Sequence, residues 1–315
     1  MKSKSELETL TYLAKQKATE LGADIVGMAP IERFEIPPPF GEEKIHDYLS
    51  TSYGLTQMLP GARSVIVIGL RQLTGVMETN VSDVQTTYPF GNFGYWHINC
   101  TLSTISYDLA RWLEDRSWTT LPLGPALAVR FHYKTYRGRV IMALMRGIFG
   151  VRRAAVLAGV GRIAKSELLA TQRYGTKIRL GALITTAPLE GDPILEGSPC
   201  PPDCNICVDV CPMGAISPEG RVDHIKCYSD CGRRGATVRE VIERIMKDYP
   251  LSDPGTDYLD LDNLAIDGYG SRLCRVACMA LCPLGENPSP SLLSQSKEWE
   301  KKHPKVRLAA RRDKD

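Results

Sequence analysis

The chain lacks any uninterrupted apolar run of the ~18 residues that a membrane span needs. Its most apolar stretch, Val140 to Val160, is broken by Arg146, Arg152 and Arg153. Charge of one sign is scarce too. Thirty-nine Lys and Arg against 36 Asp and Glu leave +3, too mild to argue for a nucleic-acid partner by itself. The opening Met1-Lys-Ser-Lys-Ser5 leads into a polar helix pattern, with no signal-peptide or twin-arginine character. These absences set the expectation of a cytoplasmic protein. No repeat of 20–50 residues is visible, which excludes solenoids and propellers. What remains is ordinary: 43% hydrophobic and 24% charged residues over 315 positions. That length suits two domains, or one large one, and buries a core without staples.

Cysteine is the feature the chain does have. Cys200, Cys204, Cys207 and Cys211 precede Pro212, and Cys274, Cys278 and Cys282 precede Pro283, with Cys227 between the runs. Three chemistries compete for them. A disulfide framework belongs to small secreted domains. Structural zinc usually pairs two short Cys-x2-Cys knuckles. Here four cysteines crowd into the twelve residues from Cys200 to Cys211, a poor match for one tetrahedral ion with four distant thiols left over. Seven thiols in two runs, each closing on Cys-Pro, with Cys227 as an eighth, fit two four-iron clusters best.

In two-cluster ferredoxins the cysteine before the proline ligates the other cluster. Applied here, Cys200, Cys204, Cys207 and Cys282 hold the first cluster, and Cys211, Cys227, Cys274 and Cys278 the second. Cys231 is the alternative to Cys227. The first run opens Cys-x3-Cys where Cys-x2-Cys is usual. Cys100 lies apart and is expected to be a buried, inert thiol.

Hydrophobic spacing predicts a helix over 5–22, stopped by Gly22, and a second over 95–114 with Leu102, Ile105, Leu109 and Leu113 on one face. Strands are expected at 23–29, 64–70 and 177–185. Residues 71–93 are polar and turn-rich and read as a loop over a site. The alternation up to residue 190 indicates a layered α/β domain. A connector rich in proline and glycine follows, so the boundary is placed near residue 195. From Lys297 onward eight Lys and Arg face four Asp and Glu, a basic tail.

Several of these segments resemble one superfamily. Ala158-Gly-Val-Gly-Arg-Ile-Ala-Lys165 is similar to the Ala-Gly-Leu-Gly-x-x-Gly-Lys/Arg stretch of epoxyqueuosine reductases and reductive dehalogenases. Tyr174 to Leu189 resembles their Tyr-Gly…Leu-Gly…Thr-Asp-Leu-Pro-Leu segment. Pro212-Met-Gly-Ala-Ile216 follows Cys211, and Cys227 stands sixteen residues after Cys211, as in that group. The likeness runs over roughly residues 5–285 and is strongest over 154–230.

The resemblance implies an α/β (α+β) fold with a nitroreductase-like corrinoid-binding domain over 1–195. A ferredoxin-like domain with two [4Fe-4S] clusters would follow over 196–286, then a tail over 287–315. It implies cobalamin, with Gly159, Gly161, Arg162, Lys165 and Thr186 beside it. Glycines let backbone approach a large ring closely, although helix–strand packing explains them as well. Four-iron clusters reach the low potentials that corrinoid reduction needs.

The departures matter. The Asp-x-x-Pro proton donor of epoxyqueuosine reductases is missing; Ile141 to Gly147 holds no acid and no proline. Thr186-Ala187 replaces Thr-Asp, and Ala164 replaces a glycine. Dehalogenases use a tyrosine with a Lys or Arg, which here suggests Tyr95 and Lys165, with His97 nearby. A phenol beside a cation is a reasonable general acid. The expectation is therefore an oxygen-sensitive corrinoid and iron–sulfur reductase that cleaves a C–X or C–O bond of a small organic substrate. Ferredoxin or flavodoxin would supply the electrons, and tRNA is not expected as a partner. The alternative is an iron–sulfur carrier or activase serving a partner corrinoid protein.

Overall fold

The computed structural model describes residues 4–34, 55–81, 89–125, 132–134, 140–142, 149–211, 213–223, 226–227 and 276–286. The chain forms two compact units. One comprises residues 1–70, 99–162 and 179–197; the other comprises 71–98, 163–178 and 198–315. Segments 71–98 and 163–178 group with the cysteine-bearing part.

The strands are β1 (Ile25–Pro30), β2 (Ser64–Arg71), β3 (Thr120–Pro125), β4 (His132–Lys134), β5 (Val140–Met142), β6 (Arg162–Ile163), β7 (Leu169–Ala170) and β8 (Ile178–Thr185). The main sheet has the order β1-β2-β8-β3. β1 pairs antiparallel with β2 from Ile25↔Gly69 to Pro30↔Ser64, and β3 pairs antiparallel with β8. Arg63 N–H donates to Thr185 O and Gln72 N–H to Lys177 O, both at 2.9 Å, so β2 and β8 are antiparallel as well. The β2 sequence Ser-Val-Ile-Val-Ile-Gly-Leu is β-branched and continuous rather than alternating, the pattern of a strand covered on both faces. Val65, Ile66, Val67 and Ile68 are all fully buried. Each such side chain contributes about 1.5–3 kcal/mol relative to exposure.

A helix over Lys4–Glu20 ends at Gly22, whose φ of +105° only glycine adopts readily. The helix Ile98–Glu114 buries Leu102, Ile105, Leu109 and Leu113, the face its spacing predicts. Cys100 is on the other side of that helix and is exposed, which corrects the expectation of a buried thiol. The segment after β8 is tied down by side chains. Ser64 Oγ accepts from Leu189 N–H (2.9 Å) and Thr11 Oγ1 from Glu190 N–H (2.8 Å). The Asp192 carboxylate pairs with Lys15 and accepts from Met28 N–H.

In the second unit, residues 71–93 are not simply a loop. They include a helix over Thr74–Val81 and the start of a π-helix over Phe90–His97. Val76, Met77, Phe90, Met279 and Ala280 form one buried cluster. Those contacts come from distant sequence, so local polarity could not announce them. No helix among the described residues is long and apolar enough to cross a membrane.

Candidate metal centre

Each cysteine run contains a one-turn helix, Ile206–Asp209 in the first and Ala277–Ala280 in the second. Cys207 and Cys278 sit within these turns, and Cys211 and Cys282 follow them. The two turns pack on each other. Cys204, Ile206 and Leu281 form a buried cluster, with Val210 and Ala277 against it. Ala164, Ala170, Cys282 and Leu284 form a second one, with Cys200 against it.

This packing surrounds one pocket of ≈ 310 Å³ of non-atom space, its solvent-filled mouth included. Cys200, Cys204 and Cys207 line it together with Cys282 from the other run. Ala164, Pro201, Pro283 and Leu284 supply apolar walls. Burial pushes the Cys200 and Cys204 thiols up. The Cys207 thiol is pushed up to about 12, first by burial and then by Cys282, Cys204 and Cys200. These three thiols resist ionising together, and a bound cation is what converts thiols to thiolate ligands. The donor set therefore fits an iron–sulfur core, whose iron binds the sulfurs as thiolates. Among the described residues no group of three His, Cys, Asp or Glu is arranged to hold a single metal ion.

Two lysines serve this pocket. A tight hairpin, closed by Ala164 N–H to Leu168 O (2.9 Å), presents Lys165. Its main-chain N–H donates to Cys200 Sγ (3.3 Å). Its ammonium donates to Cys204 O (2.8 Å) and Asn205 Oδ1 (2.7 Å). Lys177 is buried, and its Nζ donates to Cys282 O (3.0 Å) and Leu284 O (3.4 Å). Burial lowers its pKa, partly offset by Cys282. Sequence reasoning missed Lys177. It opens a strand like any flanking charge, and its partners lie 105 and 107 residues away.

The second cysteine set is less complete. Cys211 accepts from Ala215 N–H at Sγ (3.3 Å) and is half-buried, Cys278 is half-buried and Cys227 is exposed. Cys274 and Cys231 lie outside the described residues.

The residues associated with a corrinoid are divided between the units. Gly159, Gly161, Arg162 and Thr186 belong to the first, Tyr95 and Lys165 to the second. Gly159 has φ +66°, and a Cβ there would lie 2.4 Å from Pro193 O. Packing of the chain on itself accounts for that glycine. Arg162 donates to Glu196 O (2.8 Å), and Thr186 N–H to Thr119 O (3.0 Å). Gly161 is buried. Tyr95 is half-exposed in the π-helix, and its carbonyl accepts from Ile98 N–H. His97 is exposed, its ring 6.0 Å from that of Phe93. Of the missing-acid segment, Ile141 and Met142 lie in β5 and 143–147 fall outside the described residues. Among the described residues, the cysteine pocket fits a cluster.

No protein-family model matches the chain. Curated proteins do. An epoxyqueuosine reductase of Gloeobacter violaceus is 26% identical over 249 residues, 72% of this chain and 68% of its own. An epoxyqueuosine reductase of Staphylococcus aureus is 33% identical over 84 residues. The chain is thus similar in sequence to epoxyqueuosine reductases. A solved catabolic reductive dehalogenase in complex with 3-bromo-4-hydroxybenzoic acid shares the fold, with a TM-score of 0.51 at 16% identity. That match covers 88% of this chain and 36% of the other. The match to the Staphylococcus aureus relative spans 26% of this chain and only 21% of that relative.

This similarity corrects one expectation, that tRNA is not a partner. The curated relatives are epoxyqueuosine reductases, and one such enzyme was solved with an epoxyqueuosine-modified tRNA-Tyr stem loop. The absent donor acid had argued against tRNA, but a missing side chain in one segment does not remove a nucleic-acid surface elsewhere. tRNA stands among the candidate partners.

Proposed function

We propose that this protein is an iron–sulfur and corrinoid-dependent reductase that cleaves a C–O or C–halogen bond. One observation carries the reading: cysteines from two runs far apart in sequence, Cys200, Cys204 and Cys207 with Cys282, line a single pocket. These four would hold one [4Fe-4S] cluster, and Cys211, Cys227, Cys274 and Cys278 the second. When bound, the clusters supply single electrons at low potential and the corrinoid supplies the bond-cleaving cobalt. The nitroreductase-like and ferredoxin-like layout, over 1–195 and 196–286, and a cytoplasmic setting belong to the same proposal.

The chain's own residues do the rest. The Lys165 N–H orients Cys200, and Ala164, Pro201, Pro283 and Leu284 give the pocket apolar walls. Gly161, Arg162 and Thr186 are the residues put forward to border the corrinoid, and Gly159 joins them only if packing there rearranges. Tyr95 is put forward as proton donor. Lys165, whose ammonium is already bound by Cys204 and Asn205, supports the cluster side. The acceptor is an epoxide carried on tRNA or a halogenated aromatic, as for the proteins it is similar to.

A second reading is an electron carrier that reduces a partner corrinoid protein. The packing of Gly159 against Pro193 and the engaged ammonium of Lys165 favour it. Anaerobic reconstitution with iron, sulfide and cobalamin separates the readings. Roughly eight iron and eight sulfide per chain with bound cobalamin supports the reductase. The same clusters without cobalamin select the carrier, and about one zinc with negligible sulfide overturns both.

A further inference from the structure

Lysine is almost never fully buried without a partner of opposite charge. Lys177 is only 8% exposed, and no carboxylate pairs with it among the described residues. Its Nζ is held instead by the carbonyls of Cys282 and Leu284. Both residues line the pocket. The ammonium is thus fixed against the wall of a site built to carry negative charge. A cube of iron and sulfide with four thiolates is anionic, and each added electron makes it more so. A fixed cation in a poorly solvated setting stabilises the reduced form more than the oxidised one.

We infer that Lys177 is the buried counter-ion of the cluster ligated by Cys200, Cys204, Cys207 and Cys282, a positioning residue that raises its reduction potential. The inference rests on the iron–sulfur reading proposed above. Lys177 also has a purely structural side. Its neighbour Thr176 donates from Oγ1 to Met279 O (3.2 Å), so residues 176–177 dock the second cysteine turn. The two roles differ in what they do to the potential.

The test is a potentiometric titration of anaerobically reconstituted full-length protein, followed by electron paramagnetic resonance, with dithionite and mediator dyes. Wild type is compared with Lys177→Gln, Lys177→Met and Lys177→Arg. The neutral variants are expected to disfavour reduction of one cluster about tenfold, ~59 mV more negative for one electron, while Lys177→Arg stays near wild type. The other cluster serves as the internal control. If the neutral variants fail to assemble the cluster and Lys177→Arg assembles it, the need for a cation is supported. Equal potentials in wild type and the neutral variants overturn the inference and leave the iron–sulfur reading standing. Failure of Lys177→Arg alongside the neutral variants also overturns it, because shape rather than charge would then be required. A wild-type protein without iron and sulfide fails the underlying reading instead.

Discussion

The main-chain N–H of Lys165 points at the sulfur of Cys200, 3.3 Å away. Thirty-five residues separate the two, and a tight hairpin delivers the donor. A backbone N–H aimed at a ligating sulfur stabilises negative charge on it, the same direction of effect as hydrogen bonds to any thiolate. Lys165 is therefore bound to the cysteine pocket through its backbone as well as its side chain.

Replacing Lys165 with Met removes the ammonium's bonds to Cys204 O and Asn205 Oδ1. Bonds to charged groups are worth ~1.5–3 kcal/mol when buried, and partial exposure reduces this to about 1–2 kcal/mol in total. Chemical denaturation should show that loss, with weaker iron retention. A variant with unchanged stability and iron, and only a lower turnover, would return Lys165 to the role of proton donor.

Cys282→Ser should cost one cluster and leave the other, so iron falls to roughly half, about four per chain. Cys227→Ser and Cys231→Ser distinguish the two possible ligands of the second cluster by the same iron and sulfide assay. Full iron content in Cys282→Ser protein would contradict the pairing of Cys282 with the first run.

Gly175 holds the second cysteine turn at close quarters. Its φ is +55°, and a Cβ there would lie 1.8 Å from Leu284 O. Gly175→Ala must displace backbone on one side or the other, at a cost of about 2–4 kcal/mol. Thermal unfolding should register it. Because Leu284 is two residues from Cys282, the first cluster should also be lost selectively.

The metal-free protein should lose stability in alkali. The Cys207 thiol is pushed up to about 12 in the folded state, and Cys200 and Cys204 are raised as well. Above the ordinary thiol range near 8.5 the unfolded chain releases these protons while the folded chain keeps them. The unfolded state then binds fewer protons, so unfolding becomes easier as pH rises toward about 12. Urea midpoints of apo-protein between pH 8 and 10 should fall, roughly at constant slope. Iron-loaded protein should lack this dependence, because its thiols are already ligands.

Much of the fold was open to sequence reading where the signal is local. The continuous β-branched run of β2, the Leu102–Leu113 helix face and the stop at Gly22 each depend on residues within a turn or two of each other. The helix over Thr74–Val81 was not readable, because Val76 and Met77 are held by Met279 and Ala280 from two hundred residues on. Cys100 was misplaced for a related reason: thiols are usually buried, but the phase of its helix turns this one outward.

Residue type and spacing alone carried the iron–sulfur reading, since four cysteines in twelve residues and three more in nine, each run closed by Cys-Pro, have few other uses. Only tertiary packing decided which charges stand beside the sulfurs. The Ile206–Asp209 and Ala277–Ala280 turns meet, Cys282 joins the first run, and Lys177 is closed in behind it. Ligand spacing is written along the backbone, whereas a counter-ion is selected by which surfaces exclude water together, and that is settled when the chain folds.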